Sequence, residues 1–370
     1  MRASQRAAAR YAVKEARGTT REEWDQWLRD SPGGGHALQS FEWAEFKRGQ
    51  GWRPLRLILE KDGEVAGTGQ FLLRSTLPVP GSLMYCTKGP WLPWEDEDAV
   101  RAFFGAAAAA AEREGAHTVK IEPEVFAGRE DVKQLLEDIG FQKARYDLNF
   151  NTTILVDLDG SEEELLTRMT GKKGKTTRYN IRQSLKEGVE VVEPEDFEWA
   201  FETFYGWMLG LAGRKEGFHI TRPPEYFREV MRRMNAADQG RFFFAMHEGE
   251  PLAGGYAFNF GGKLWHMYGA TPDKGHRLQP TYALQWGMMR WARQHGITYY
   301  DMVGIPKREE RHEGHPYYGV YRFKKGFGGE EVDFLGCLDL PVEPLRAAAW
   351  YRLEPLYYRL YQRLRENVFY

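Results

Sequence analysis

The hydrophobic and polar positions along the chain repeat one arrangement twice. Residues 61–64, Lys-Asp-Gly-Glu, form a polar turn signal that leads into the largely apolar run 65–73. Residues 247–250, His-Glu-Gly-Glu, lead in the same way into the run 251–260, about 185 residues downstream. A glycine-containing turn between two apolar runs is typical of a β-hairpin. The pattern therefore predicts two copies of one domain.

Each copy continues with a helix and then a short buried strand. Residues 100–113 and 282–294 predict the two helices, and residues 115–123 and 296–302 predict the strands after them. Both helices end near a glycine, as a left-handed C-cap prefers. Hairpin strands followed by a helix and a further strand predict an α/β fold in which helices cover each sheet. This order resembles the GNAT acyltransferase superfamily, so we expect two tandem GNAT-like domains.

The resemblance does not extend to the coenzyme A loop of that superfamily. There, an Arg/Gln-x-x-Gly-x-Gly/Ala loop opens the helix after the hairpin strands and binds a pyrophosphate through backbone N–H groups. Residues 274–281 lack this glycine spacing, and Pro280 removes a donor. Residues 90–96 are rich in proline and tryptophan. We therefore expect acyl transfer from a donor other than an acyl-CoA.

Composition and charge narrow the class of protein. The 370 residues carry 51 Lys and Arg against 53 Asp and Glu, so contact with RNA would need a local basic patch. Cys86 and Cys337 are too few for a disulfide framework or a zinc site, which fits a reducing cytoplasm. No apolar run is long enough to span a membrane, and the first 17 residues lack the apolar core of a secretory signal.

The common catalytic motifs for metals, nucleophilic serine and nucleotide phosphates are missing from the sequence. We therefore expect no cofactor, and chemistry that depends on positioning and electrostatics, such as attack of an amine on an activated ester.

One strongly basic stretch follows a linker predicted at about residues 147–159. A helix predicted for residues 161–169 begins at Ser161, a good N-cap. The cations that follow are candidate contacts for phosphates. The alternative is that they form a solvated helix face beside a domain boundary. We expect most of them on one side of a helix continuing to residue 187: Arg168, Lys172, Lys173, Lys175, Arg178, Arg182 and Lys186.

Residues 317–329, Tyr-Tyr-Gly-Val-Tyr-Arg-Phe-Lys-Lys-Gly-Phe-Gly-Gly, combine aromatic rings, cations and glycines. Glycines permit close approach of the backbone to a ligand. Aromatic platforms with nearby cations hold single-stranded nucleic acid ends, and the 3′ end of a tRNA is such a ligand. Aromatic residues at spacing two are also typical of a strand core. The segment alone leaves both interpretations open.

Four stretches, in order along the chain, resemble the Fem family of non-ribosomal peptidoglycan bridge aminoacyltransferases. They are residues 40–47 with Trp52, 175–189, 265–270 and 318–329. The resemblance implies two acyltransferase-like domains, at 1–152 and 153–340, with a final helix within 341–370 that returns to the first domain. Some members carry a coiled-coil arm, for which residues 182–214 leave no room, so the chain resembles the armless branch.

The resemblance also implies an activity. An amino acid would pass from aminoacyl-tRNA to the side-chain amine of the stem peptide in a peptidoglycan precursor, lipid II or UDP-MurNAc-pentapeptide, and so form an interpeptide bridge. We expect a monomer. The alternatives are an N-acyltransferase that uses another acyl donor on a different amine, and a tRNA-binding protein without catalysis.

The matching positions imply roles in precursor binding. Lys47 and Arg214 would hold the precursor diphosphate between two cations. Tyr268 would line the precursor cleft. From the residues alone, the alternatives are a surface helix lysine at 47 and a strand-core tyrosine at 268.

Other matching positions imply roles in transfer. Glu122 would orient the acceptor amine or accept its proton, with an ordinary edge-strand carboxylate as the alternative. Lys324 would stabilise the oxyanion of the tetrahedral intermediate or contact tRNA phosphates. Phe323 would touch the donor, and the cations Lys172, Lys173, Lys175 and Arg178 would contact tRNA.

Residues 347–370 have an amphipathic composition. Such a helix suits a peripheral contact with the inner face of the membrane, where a lipid-linked precursor lies. Its apolar side would alternatively cover the first domain. We favour the second interpretation, because Pro355 is expected to interrupt the helix.

Overall fold

The computed structural model describes residues 11–169, 177–214, 220, 222–272, 274–365 and 368–370. The chain forms two compact units. Unit 1 contains Met1–Asn149 and Phe334–Arg359, and unit 2 contains Phe150–Asp333 and Leu360–Tyr370.

The described residues form strands and α-helices in mixed order, with three short 3-10 helices at Ala37–Gln39, His276–Leu278 and Arg308–Glu310. The strands are β1 (Tyr11–Glu15), β2 (Arg53–Lys61), β3 (Glu64–Ser75), β4 (Ser82–Cys86), β5 (Ala116–Ile121), β6 (Gln142–Lys143), β7 (Thr152–Asp157), β8 (Glu190–Val192), β9 (Gly240–His247), β10 (Glu250–Phe260), β11 (Lys263–Ala270), β12 (Tyr299–Asp301), β13 (Glu330–Asp333) and β14 (Leu338–Pro341). The helices are α1 (Arg21–Asp30), α2 (Phe41–Gly49), α3 (Glu97–Arg113), α4 (Glu130–Ile139), α5 (Glu162–Arg168), α6 (Thr177–Lys186), α7 (Phe197–Arg214), α8 (Pro224–Ala236), α9 (Pro280–Gln294), α10 (Tyr318–Lys325) and α11 (Pro344–Arg365).

The internal repeat is confirmed. The turns joining β2 to β3 and β9 to β10 each place two residues in the left-handed region, Asp62 and Gly63 in one and Glu248 and Gly249 in the other. That geometry matches the twist of a two-residue hairpin, which explains the glycine. In each copy the antiparallel strands continue into a helix and then a parallel partner strand, β5 beside β4 and β12 beside β11.

Each unit has a seven-stranded sheet of its own. The strand order is β1-β2-β3-β4-β5-β14-β6 in unit 1 and β13-β7-β12-β11-β10-β9-β8 in unit 2. In unit 1 the apolar face of α3, with Phe103 and Phe104 fully buried, packs in the core. In unit 2 the corresponding helix α9 contributes Trp286 and Met288. The α/β class and the predicted pair of sheet-and-helix domains are therefore confirmed, and the described residues contain no coiled-coil arm.

The chain passes between the units at places the sequence did not indicate. The predicted linker 147–159 contains β7, a strand of the unit 2 sheet. Residues 334–340, assigned from sequence to the second domain, belong to unit 1, where β14 pairs with both β5 and β6. The last residues, 360–370, belong to unit 2. A four-residue strand has too little periodicity of its own to reveal its sheet.

Two further expectations need correction. The basic stretch is not one continuous helix, because α5 ends at Arg168 and α6 begins at Thr177. Ser161 does cap α5, and Glu164 completes a capping box. Pro355 lies inside α11 without ending it.

Among the described residues, no helix combines the length and apolar character needed to cross a bilayer.

Candidate functional site

In unit 2 the strand β11 extends beyond the end of its parallel partner β12. The pairing of β11 with β12 ends at Trp265 and Asp301, and β11 then continues to Ala270. The register of β11 against β10 also shifts along this stretch, as at a β-bulge. Open α/β sheets bind ligands beyond the carboxyl ends of their parallel strands. We therefore take the carboxyl end of β12 and the adjacent stretch of β11 as the candidate active site of unit 2.

The ammonium group of Lys324 reaches the turn that follows β12. It donates to the main-chain carbonyl of Gly304 at 2.7 Å and to the carbonyl of Val303. Both residues have left-handed backbone, with φ of 44° at Val303 and 72° at Gly304. A β-branched residue rarely adopts this conformation, so the turn is strained and needs support from its surroundings. Lys324 supplies part of that support and is held beside the end of β12.

Asp301 supports the same turn from the interior. Its side chain is buried, and Oδ1 accepts from the N–H of Val303 at 2.8 Å and from the hydroxyl of Thr153. Thr153 lies on β7, 148 residues away along the chain. Sequence reasoning missed Asp301 because its role appears only when β7 and β12 pair.

His266 is the first residue of β11 beyond the parallel pairing, and sequence reasoning assigned it no role. Gln285 on α9 places Nε2 3.2 Å from Nδ1 of the imidazole, and its Oε1 accepts from the hydroxyl of Tyr300 at 2.6 Å. In this arrangement Nδ1 accepts and the ring proton is on Nε2. Nε2 is buried and has no partner in hydrogen-bond geometry among the described residues. A Cβ at Gly269 would lie 3.0 Å from Nε2, so a larger residue there would crowd the ring.

The imidazole of His266 is neutral at physiological pH. Burial, and after it the ammonium charge of Lys324, lowers its pKa to about 3, against a smaller opposing effect from the main chain of Tyr268. A neutral histidine beside a fixed cation can donate a hydrogen bond without adding a second positive charge.

The segment 317–329 is a helix followed by a tight turn, so the strand-core interpretation is wrong. Tyr321 is buried in α10, and Phe323 packs edge-on against Tyr282, with ring centroids 4.9 Å apart. Lys325 pairs with Glu331 at 2.6 Å. The aromatic side chains of this segment thus anchor the helix that carries Lys324.

The glycines after α10 approach other parts of the chain. A Cβ at Gly328 would lie 2.4 Å from the carbonyl oxygen of Arg168, and one at Gly329 would lie 2.5 Å from that of Leu155. Gly328 also has a φ of 78°. Their closest neighbours are therefore main-chain atoms of unit 2, which explains the glycines by packing. Close approach to a ligand stays a prediction.

Tyr268 lies near the end of β11, beside α8. Its ring meets Phe227 edge-on with centroids 5.6 Å apart. Burial, then the neighbouring Tyr226, raises its pKa to about 12, while Arg222 acts in the opposite direction. Arg214 is the last residue of α7, and its side chain lies outside the described part of the structure.

Lys47 in unit 1 is buried, so the surface-lysine alternative is wrong. Only 4% of it is exposed, and its ammonium lies 5.6 Å from the ring of Trp43 and 5.3 Å from the ring of Trp52. The guanidinium of Arg74 lies 5.2 Å from the same Trp52 ring. Two cations that share one aromatic ring give this part of unit 1 a concentrated positive charge.

Glu122 is also buried in unit 1, with 1% exposure. Its Oε2 accepts from Tyr85 at 2.8 Å and from the side-chain amide of Asn149 at 2.6 Å, and its Oε1 accepts from the main-chain N–H of Asn149 at 3.0 Å. Both oxygens are therefore engaged within the unit, which gives no support to the expected contact with an acceptor amine. The carboxylate instead holds Asn149, the last residue before the chain enters unit 2.

Only some of the basic residues that were predicted to contact phosphates lie in the described part of the structure. Lys172, Lys173 and Lys175 lie outside the described residues. Arg178 is partly buried in the first turn of α6. Arg182, on the exposed side of the same helix, pairs with Glu163 at 2.9 Å.

Comparisons with known proteins agree with this architecture. Residues 172–325 match the acetyltransferase (GNAT) domain. A crystal structure of FemX superposes with a TM-score of 0.79 at 23% identity and covers 94% of this chain and 100% of that one. The structure of L-PGS from Bacillus licheniformis superposes with a TM-score of 0.51 at 17% identity over 93% of this chain and 95% of the other. At these identities the two structures support the fold.

The chain is also similar to a lipid II:glycine glycyltransferase of Staphylococcus aureus (strain MRSA252). The two are 24% identical over 394 aligned positions, which cover 86% of this chain and 91% of that protein. The FemAB family matches residues 19–248, more than half of the chain and most of unit 1 together with the first part of unit 2. The chain therefore belongs to the FemAB family.

Proposed function

We propose that the protein transfers an amino acid from aminoacyl-tRNA to the side-chain amine of the stem peptide in a peptidoglycan precursor, lipid II or UDP-MurNAc-pentapeptide. As a FemAB protein with a GNAT domain it is an aminoacyltransferase. The observation that carries the proposal is the ammonium of Lys324, held beside the carboxyl end of β12. Similarity to a lipid II:glycine glycyltransferase supports a peptidoglycan precursor as the acceptor.

The transfer needs no redox step and no added co-reactant. The acceptor amine attacks the ester carbonyl, a C–N bond forms, and the bond between that carbon and the ribose oxygen breaks. The proton that the amine loses ends on the ribose oxygen, so the products are an amide and tRNA with a free hydroxyl. Negative charge develops on the carbonyl oxygen, and Lys324 would stabilise it after exchanging one of its main-chain carbonyl partners for this oxygen.

The remaining residues would bind and orient the two substrates. Lys47, with its charge concentrated over Trp52, would bind the precursor diphosphate. Arg214 stays a predicted precursor contact. Tyr268 would line the precursor site, and Phe323 would contact the donor. We assign Glu122 a positioning role through Asn149.

The cations of the basic stretch, Lys172, Lys173, Lys175 and Arg178, would contact tRNA phosphates. A cytoplasmic enzyme with a lipid-linked acceptor would work at the inner face of the membrane.

A panel of charged tRNAs, tested against precursors that differ only at the third stem position, would check the proposal by the mass of the product. Lys324→Met should lower kcat by about 10²–10³, the typical effect of removing one oxyanion donor. Lys325→Met is the matched control, because Lys325 lies next to it on α10 but pairs with Glu331. The control should retain activity within a few-fold.

Two outcomes would contradict this assignment. If the wild-type protein transfers no amino acid to either precursor with any charged tRNA, the proposed function is wrong. A protein that fails in this way but binds charged tRNA tightly in a separate binding assay acts as a tRNA-binding protein. If Lys324→Met abolishes tRNA binding but leaves transfer intact when tRNA is saturating, the lysine has no role in the chemical step.

The GNAT domain match favours a second candidate, an N-acyltransferase that uses another acyl donor such as an acyl-CoA. The helix that would receive the pyrophosphate begins with Pro280, which offers no N–H, and Gln279 before it is left-handed with a φ of 54°. We therefore expect no heat of binding when acetyl-CoA is titrated into the protein. Binding at micromolar concentration would revive this candidate.

A further inference from the structure

Helix α11 buries one side and leaves a second apolar side exposed. Ala347, Trp350 and Glu354 are buried, and the ring of Trp350 lies 6.0 Å from that of His117 on β5. This side covers unit 1, as expected from the sequence. It does not account for the leucines of the same helix.

Four leucines of α11 are exposed. The exposed fractions are 87% at Leu345, 39% at Leu353, 65% at Leu356 and 50% at Leu360. With 3.6 residues per turn, these positions fall within an arc of about 80°. Isolated exposed leucines are ordinary, but leucines aligned on one side of a helix form a candidate interaction surface.

Arginines border the leucine stripe. Arg346, Arg352, Arg359 and Arg363 are all exposed, and none forms an ion pair with a described carboxylate. The only carboxylate within residues 344–363 is Glu354, which is 3% exposed on the opposite side. The exposed side of α11 therefore combines apolar surface with positive charge.

We propose that this side of α11 docks on an anionic lipid bilayer, with the leucines in the acyl boundary and the arginines among the phosphate headgroups. Helices with this separation of leucine and arginine lie in the plane of the membrane interface. Long arginine side chains reach from an apolar surface to the headgroups while their stems remain in contact with it. The inference rests on the proposed function in one respect, because a lipid-linked acceptor lies at such a surface.

Charge complementarity favours a bilayer over a second copy of the chain. Two such faces brought together would place arginines against arginines, with no exposed carboxylate of α11 to compensate them. An anionic surface instead favours each arginine by about 1 kcal/mol, which is about fivefold in partition coefficient.

Vesicle co-sedimentation of the full-length protein tests the proposal. One variant carries Leu353→Gln and Leu356→Gln, a second carries Arg352→Gln and Arg359→Gln, and the control carries Leu209→Gln. Leu209 is a suitable control because it is 53% exposed on α7, in the other unit. Thermal unfolding of each variant confirms that it is folded.

The wild-type protein should bind vesicles of phosphatidylglycerol and phosphatidylethanolamine, and bind phosphatidylcholine vesicles at least about tenfold more weakly. The leucine pair should lose at least about tenfold in partition. The arginine pair should lose about 25-fold on anionic vesicles and show a smaller dependence on salt. The Leu209→Gln control should bind like the wild type.

Wild-type protein that binds neither vesicle, or pair variants that bind like the wild type, would overturn the proposal. So would a wild-type dimer that the leucine pair abolishes without any change in vesicle binding. Transfer assays separate this failure from failure of the proposed function. If docking alone is wrong, all variants will modify nucleotide-linked and vesicle-embedded precursor at wild-type rates, whereas if the function is wrong, no protein will modify either.

Discussion

Replacing Gly328 by alanine tests whether the glycines after α10 serve packing or a ligand. Gly328 has a φ of 78°, in the left-handed region. An added Cβ would lie 2.4 Å from the carbonyl oxygen of Arg168 and 2.7 Å from its carbonyl carbon. These are main-chain atoms at the end of α5, so they cannot rotate away as a flexible side chain would.

The expected loss of stability has two parts. Left-handed backbone costs an alanine about 1–2 kcal/mol more than a glycine. Forcing a methyl group into occupied space typically costs a further 1–3 kcal/mol, roughly. The sum is about 2–5 kcal/mol, which lowers the unfolding midpoint of a unit of this size by about 5–20 °C.

Scanning calorimetry is a suitable assay because it measures the unfolding temperature directly. Gly319→Ala is the matched control, since Gly319 lies within α10 and a Cβ there meets nothing within 4 Å. It should stabilise unit 2 by about 0.5–1 kcal/mol, the advantage of alanine over glycine in a helix. If Gly328→Ala unfolds at the wild-type temperature but no longer binds charged tRNA, the packing argument is refuted and the glycine serves the ligand.

Three further predictions concern single side chains. Lys47→Met keeps an apolar stem between the indole rings but removes the charge. The KM for the precursor should therefore rise about 10–100-fold, with little change in unfolding temperature. The control Arg48→Met should leave both the KM and the unfolding temperature unchanged. Glu122→Gln should lower kcat by less than about tenfold, because a general base would be worth about 10²–10⁴, and a loss in that larger range in steady-state assays would restore its catalytic role. His266 has a folded pKa of about 3, below the ordinary histidine value of 6.5, so its stabilising contribution is present above pH 6.5 and is lost as the pH falls toward 3. Between pH 7 and pH 5 the wild type should therefore lose about 2 kcal/mol more stability than His266→Gln in urea unfolding, and identical pH dependence of the two proteins would contradict the buried, neutral imidazole.

Local signals in the sequence account for most of the correct predictions about the fold. The two hairpin turns can be predicted from two residues each, Asp62-Gly63 and Glu248-Gly249. The helices α3 and α9 can be predicted from their runs of apolar positions. The position of β14 has no such signal, because its partners on β5 and β6 lie about 200 residues earlier. Pairing over that distance depends on the assembled sheet.

In the candidate site, too, the sequence identifies some of the residues but not the contacts that they make. The Fem-like stretches led to Lys324 and to the stretch containing His266, but their partners are set by tertiary structure. Spacing gave no indication that Lys324 would meet the carbonyls of Val303 and Gly304, or that Gln285 would orient His266. Glu122 was identified as a carboxylate at a strand end, and its engagement with Asn149 could not be foreseen from the sequence.

The place of β14 in the unit 1 sheet has a consequence for biosynthesis. β14 separates β5 from β6, so neither strand has its full set of neighbours until Leu338–Pro341 has been made. At a translation rate of about 5–20 residues per second, the ribosome needs about 10–40 s to reach β14 after completing β6. By then every strand of the unit 2 sheet has been synthesised, since β13 ends at Asp333. During this interval the nascent chain presents unpaired strand edges, which other chains can bind. The sheet that the ribosome begins first is therefore the one it finishes last.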